Sequence, residues 1–274
     1  MENNKTIFLA KNIQELLYQI KNVAGLEIIG GATSIPELPE KALSARDIGE
    51  LKMINIRERF IDFGPAVPLN EILNVGRERV PQVLYEATKS VANYFIRNMA
   101  TIGGNICASV KEPKALKRTL YAPLLALGAT RKFRNTENQM SATLPFSKFE
   151  GIPDKSVLVN IRVPADDWDV SIFRRLGSKH ILENNSASFC FLAKTQGNVL
   201  SSVRLAFAGP IVIQDSELET KLLGARLPLN EKTIQDFTNA AAAAFDKAAA
   251  DEFSNPLIKE GFLQLTRYSL NQLT

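Results

Sequence analysis

The sequence predicts an α+β fold: two small α/β units followed by an antiparallel sheet with a cluster of helices. Three observations predict it. A strand, an amphipathic helix and a second apolar run lead directly into a glycine pair within Ile28-Ile29-Gly30-Gly31-Ala32-Thr33-Ser34. A second pair lies in Arg97-Asn98-Met99-Ala100-Thr101-Ile102-Gly103-Gly104-Asn105-Ile106, after a longer helical pattern. Beyond Pro164 the pattern changes to strands around Gly197-Asn198 and then to helical periodicity. The boundaries expected from this are 1–55, 56–165 and 166–274.

Residues Thr6 to Ala10 read as the first strand. Asn12 is placed to cap a helix with Ile13, Leu16, Leu17 and Ile20 on one face, Glu15 stands at the capping-box position, and Gly25 ends the helix. Leu26 to Ile29 is a buried strand. A dinucleotide fingerprint needs its glycines to open a helix, yet Pro36 and Pro39 stand where that helix would grow, at about 3 kcal/mol each. The sequence therefore argues against a Rossmann sheet. Phe60 to Phe63 reads as a strand and Pro68 to Leu73 as a short helix. One longer helix is expected from Pro81, with Leu84, Ala87, Val91, Tyr94 and Phe95 at helical spacing. Strands are expected at Thr130 to Phe133 and Val157 to Val163, then at Phe189 to Ala193 and Val203 to Ala208. Helices are expected at Glu217 to Leu223, Glu231 to Phe245 and Pro256 to Leu270.

Composition excludes several function classes. The 274 residues carry 33 basic and 29 acidic side chains, net +4, but the two signs are interspersed, as in Lys52, Arg57, Glu58, Arg59 and Asp62. A nucleic-acid binder would show a basic stripe with interleaved aromatics. No apolar run approaches the roughly 20 residues of a membrane span, and Met1-Glu2-Asn3-Asn4-Lys5 opens no signal peptide, so the cytoplasm is the expected location. Cys107, Cys190 and the single histidine, His180, cannot furnish the four ligands of an iron–sulfur or structural zinc site. His180 reads as a surface or loop residue, since no nucleophile motif supports a triad around it. Redox chemistry here would have to be carried by an organic cofactor.

Paired glycines beside Thr or Asn let backbone N–H groups crowd an anion, because no Cβ blocks the approach. Either pair alone also reads as a tight turn. Two such loops in one chain point to a ligand with several phosphates held between the first two units.

The chain resembles the FAD-binding medium subunit of the molybdenum hydroxylases, the xanthine dehydrogenase and carbon monoxide dehydrogenase family. The resemblance covers Ile28 to Ser34, Ile61 to Val67, Ile96 to Asn105, Pro123 to Ala129, Phe173 to Gly177 and Val203 to Gly209, in family order over the whole chain. It implies a vanillyl-alcohol-oxidase-like pair of FAD-binding subdomains, with a C-terminal domain of a three-stranded antiparallel sheet and a helical cluster. It implies that the FAD pyrophosphate is bound by Ile29, Gly30, Gly31, Ala32, Thr33 and Ser34 and by Thr101, Gly103, Gly104 and Asn105. Leu158 matches a position whose backbone meets the cofactor, or is simple core. Arg174 stands where some members place a flavin-proximal lysine, or is a surface arginine. A large partner carrying the molybdenum cofactor, a small [2Fe–2S] partner and NAD or another acceptor are implied, with no catalytic side chain and no metal site in this chain.

Two departures from the family pattern accompany the match. Ser34 replaces the Asp of Gly-Gly-Thr-Asp, and Leu120 stands where an Asp bonds the adenosine part of FAD, after an inserted basic segment, Lys111 to Arg118. Within that segment Lys114, Lys117 and Arg118 either meet phosphate or form a solvated loop. These departures leave a second reading, a scaffold subunit that has lost tight FAD binding.

Overall fold

The computed structural model describes residues 5–33, 35, 37–107, 116–148, 151–153, 155–178, 183, 185–250 and 255–274. In chain order the elements are β1 (Thr6–Leu9), α1 (Ile13–Asn22), β2 (Glu27–Ile29), β3 (Lys41–Ser44), β4 (Ile54–Ile56), β5 (Phe60–Phe63), α2 (Leu69–Asn74), α3 (Gln82–Ser90), α4 (Tyr94–Met99), α5 (Ile102–Cys107) and α6 (Tyr121–Ala126). There follow β6 (Thr130–Asn135), β7 (Ser141–Pro145), β8 (Ser156–Pro164), β9 (Val170–Leu176), β10 (Ala187–Gln196), β11 (Val199–Ala208), β12 (Val212–Ile213), α7 (Ser216–Thr220), α8 (Glu231–Ala249) and α9 (Pro256–Leu270). The chain forms two compact units. The first comprises Met1–Val80, Ala92–Pro113 and Gly128–Ala165, and the second Pro81–Val91, Lys114–Leu127 and Asp166–Thr274.

In the first unit, β1, β3 and β2 form a parallel sheet in that order. Helix α1 begins as the sequence indicates: the Asn12 side chain accepts the Glu15 N–H at 2.8 Å, and the Glu15 carboxylate accepts the Lys11 N–H at 2.8 Å. The carboxylate thus serves the residue before the cap rather than the cap itself, a variant of the capping box. Leu16 and Leu17 of α1 pack with Leu43, Ile48, Leu51 and Val157. No helix follows Gly30-Gly31 before β3 among the described residues.

The larger sheet of this unit is antiparallel, in the order β4-β5-β8-β6-β7. One face buries Ile61, Phe63, Phe133, Leu158, Ile161 and Val163. Arg131 is buried on the same face, donates to the Pro145 carbonyl at 2.9 Å and lies 4.9 Å from the centre of the Phe146 ring. On the opposite face the register sets Asp62 beside Arg162 and Lys132 beside Asn160.

The second unit holds an antiparallel sheet, β12-β11-β10-β9. Helices α3 and α6 pack on β9, β10 and β11, and α9 packs on β9 and β10. Strand β10 is therefore buried from Ala187 to Ala193 without interruption. Phe207, Phe245 and Phe262 form an aromatic cluster, with Phe262 5.2 Å from Phe207 and 5.7 Å from Phe245 between ring centres.

Two expectations are corrected. The C-terminal sheet has four strands, not three, because Val212 and Ile213 add β12 to the edge of β11. Two residues after a proline are too few to show alternation. The longer helix expected from Pro81 is two helices. Ala92 takes the left-handed conformation, φ 42°, and Asn93 caps α4 by accepting the Ile96 N–H at 3.0 Å. Tyr94 and Phe95, read as its apolar face, are exposed.

In the second unit the Glu219 carboxylate is buried, accepting the Leu205 N–H at 3.0 Å and a guanidinium N–H of Arg204 at 3.1 Å. Burial raises its pKa above the ordinary 4.5, against the lowering by Leu205 and Arg204. The folded state then holds this proton more tightly than the unfolded state, so stability falls as pH rises from about 4.5 to the folded value. Urea midpoints measured across that window should fall less steeply in Glu219→Gln than in the parent.

Candidate functional site

Strand β2 delivers the first glycine loop, with the Ile29 carbonyl accepting the Ala45 N–H at 2.9 Å. The loop packs directly on the segment that precedes α5. A Cβ on Gly31 would lie 1.7 Å from the Met99 carbonyl oxygen, and one on Gly30 would lie 2.6 Å from the Thr101 hydroxyl. Side chains are excluded at both positions. The next residue, Ala32, has φ 53°, a conformation that costs a non-glycine residue about 1–2 kcal/mol. Among the described residues the N–H groups of Gly30, Gly31, Ala32 and Thr33 donate to no protein acceptor. Successive free N–H groups around a left-handed residue form the kind of concavity that binds anions.

The second loop is organised differently. Thr101 is buried and its hydroxyl accepts the Gly104 N–H at 3.0 Å, capping α5. Its own proton remains to be donated. The N–H groups of Ile102, Gly103 and Asn105 go to Val67, Pro65 and Thr101 carbonyls at 3.0, 2.9 and 2.9 Å. Neither glycine has positive φ, and both lie inside a helix rather than in an open loop. Gly103 is small because of Pro65, whose carbonyl oxygen would lie 2.6 Å from a Cβ. At Gly103 the close approach of Pro65 is by itself enough to exclude a side chain, whereas at Gly104 the nearest atom to a Cβ is the Thr101 hydroxyl oxygen at 3.0 Å. Gly103→Val would clash with the backbone of residue 65 and cannot report on a ligand alone.

A polar network missed in the sequence anchors the approach to this loop. Arg97 donates to the Asn70 side-chain oxygen at 3.0 Å and to the Ala92 carbonyl at 3.1 Å. Asn70 in turn donates to the Asn98 side chain at 2.6 Å and to the Tyr94 carbonyl at 3.0 Å. These bonds tie α4 to α2. The available signal was Asn70 itself, an amide set between the apolar Leu69 and Ile72 on a buried helix face.

The remaining site candidates lie elsewhere. Leu158 is opposite Phe133 in the core face of the five-stranded sheet. Arg174 belongs to the second unit, where its guanidinium donates to the Phe173 carbonyl at 2.8 Å and lies 5.5 Å from the centre of the Tyr268 ring. Leu120, also in the second unit, is fully buried at the start of α6, so Leu120→Asp would bury a carboxylate. Lys117 and Arg118 are partly buried rather than fully solvated, and burial lowers the pKa of both. Ser34, His180 and Lys111 to Ala115 lie outside the described residues. Among the described residues no group of three or more His, Cys, Asp or Glu could hold a metal. Cys107, at the end of α5, has a thiol pKa pushed up to about 12 by burial.

Two variants test the division of labour between the loops. Ala32→Gly should keep the N–H array and raise stability by roughly 0.5–1 kcal/mol, seen as a higher thermal midpoint with unchanged flavin content. Thr101→Val should cost about 1 kcal/mol through the lost cap and reduce flavin content at purification, while circular dichroism shows a folded chain.

Comparison with known proteins identifies the family. The family profile described as the FAD binding domain in molybdopterin dehydrogenase matches residues 3–166. The chain is 25% identical over 252 residues to the glyceraldehyde dehydrogenase medium chain of Sulfolobus acidocaldarius, covering 85% of each. It is 23% identical over 268 residues to the nicotinate dehydrogenase FAD-subunit of Eubacterium barkeri, covering 88% of this chain and 90% of that one. It is also 26% identical to an indole-3-acetaldehyde oxidase of Zea mays, but spans only 14% of that protein's length. In fold it is similar to a chain of carbon monoxide dehydrogenase from Hydrogenophaga pseudoflava, with a TM-score of 0.81 at 19% identity over 98% of this chain and 97% of that one. The chain belongs to the family of FAD-binding domains of the molybdopterin dehydrogenases, and is a subunit or domain of an oxidoreductase.

Proposed function

We propose that this chain is the FAD-binding electron-transfer subunit of a multi-subunit molybdenum hydroxylase. In this reading a large partner bearing the molybdenum cofactor oxidises the organic substrate. A small [2Fe–2S] partner relays the electrons, and NAD or another acceptor receives them after passage through this chain. The observation that carries the reading is the packing of Gly30 and Gly31 on Met99 and Thr101, beside a run of four N–H groups, residues 30–33, that have no protein acceptor among the described residues. The medium chain and the FAD-subunit it resembles are each matched over most of their length.

Bound FAD supplies the redox chemistry, and the protein's part is to hold and tune it. The N–H groups of Gly30, Gly31, Ala32 and Thr33 hold the pyrophosphate, with the Thr101 hydroxyl as a further donor. Ile29, Ser34, Gly103, Gly104 and Asn105 complete the two loops. Residues 1–55 and 56–165 act as the two FAD-binding subdomains and 166–274 as the C-terminal domain. Leu158 would contribute its backbone, and Arg174 would supply a cation that favours the anionic reduced form of the flavin. No side chain is asked for acid–base chemistry, and the complex works in the cytoplasm.

A second reading is a scaffold subunit without tight FAD binding. It is favoured by the buried Leu120 at the adenosine position and by the engaged N–H groups of residues 102–105. Colour separates the two. The complex purified through a tag on this chain should be yellow, release FAD on denaturation and contain molybdenum and iron. A colourless chain that FAD does not stabilise against heat would establish the scaffold reading. A yellow chain without either metal would overturn the assembly.

A further inference from the structure

The polar face of the five-stranded sheet carries a cavity of about 300 Å3 that none of the glycine-loop residues lines. Its polar wall is made by Asp62, Lys132, Arg134, Asn160 and Arg162, with Ser141 at the β7 side. The register brings them together. Arg162 faces Asp62 on one side, Lys132 faces Asn160, and Arg134 faces Ser141. Ile13 and Val159 supply an apolar wall.

The charges in this cavity do not balance. Arg162 makes a two-bond pair with Asp62, at 2.8 and 2.9 Å, and lies 3.8 Å from the centre of the Phe60 ring. It is thereby fixed and neutralised, and its third nitrogen is still a donor. Arg134 is bonded only to a neutral partner, the Gln139 side chain at 3.3 Å, and no acid pairs with Lys132 among the described residues. Two positive charges therefore stand uncompensated, two residues apart on one strand and one face, where like charges oppose folding. An ammonium, two guanidinium groups, an amide and a hydroxyl lining one cavity with an apolar wall match a tetrahedral dianion with a small carbon skeleton. The volume is at the small end of the roughly 300–1,000 Å3 of small-molecule sites.

We propose that this cavity is a binding site for a small phosphate monoester, distinct from the flavin site. The site does not depend on the flavin reading, since it stands on other residues.

Calorimetric titration of the purified full chain with glycerol 3-phosphate tests it, with inorganic phosphate and succinate as comparison probes. The parent should bind glycerol 3-phosphate with a Kd of about 1 mM or tighter, and inorganic phosphate more weakly. Lys132→Met and Asn160→Leu should each weaken binding about tenfold without changing flavin content or thermal midpoint. Lys232→Met, an exposed cation on α8, should leave it unchanged. No binding at 10-fold that concentration (about 10 mM), equal affinity for succinate, or equal losses in Lys232→Met would each overturn the proposal. Loss of flavin alone, with phosphate-ester binding intact, would count against the flavin reading and not against this site.

Discussion

Gly31 sits so close to the carbonyl of Met99 that even a methyl group has no room between them. Much of the first unit follows from that contact. It joins the end of a parallel strand pair to the turn before α5, two segments about 70 positions apart in sequence. Beside it Ala32 takes the left-handed conformation, and among the described residues the N–H groups around it have no protein acceptor. Strain and unsatisfied donors in one loop are costs that the surrounding fold must outweigh, and they concentrate where a ligand binds.

The two loops then divide their tasks. The second is a rigid wall: its N–H groups are bonded to residues 65, 67 and 101, and Arg97 and Asn70 tie down the helix before it. The first presents the open donors against that wall. Rigid support behind and free donors in front is the arrangement a pre-organised anion site requires, because nothing need be broken when the ligand arrives.

Where local chemistry decides the outcome, the fold was legible in the sequence. The Asn12 cap, the four residues of β5 and, among the described residues, the lack of a helix between Gly31 and β3 all appear as read. The uninterrupted apolar run of β10 was legible as a strand, and burial by helices on both faces explains why it does not alternate. The break between α3 and α4 was not legible, because alanine at position 92 carries no sign of a left-handed conformation that tertiary packing imposes. In the site, the positions of both glycine pairs could be read, but not the packing that requires a small residue at position 103. Gly103 is small for the sake of Pro65, a contact that only the folded chain creates.

Each compact unit contains one thiol, Cys107 in the first and Cys190 in the second, and burial raises the pKa of both. Cys190 is buried, whereas Cys107 is only partly so. A protonated, enclosed thiol does not react with alkylating reagents until its surroundings open. Cys190 therefore acts as a built-in clock: its alkylation, followed by mass spectrometry, times the opening of the second unit. A ligand that stabilises only the first unit would leave that clock running at its original rate.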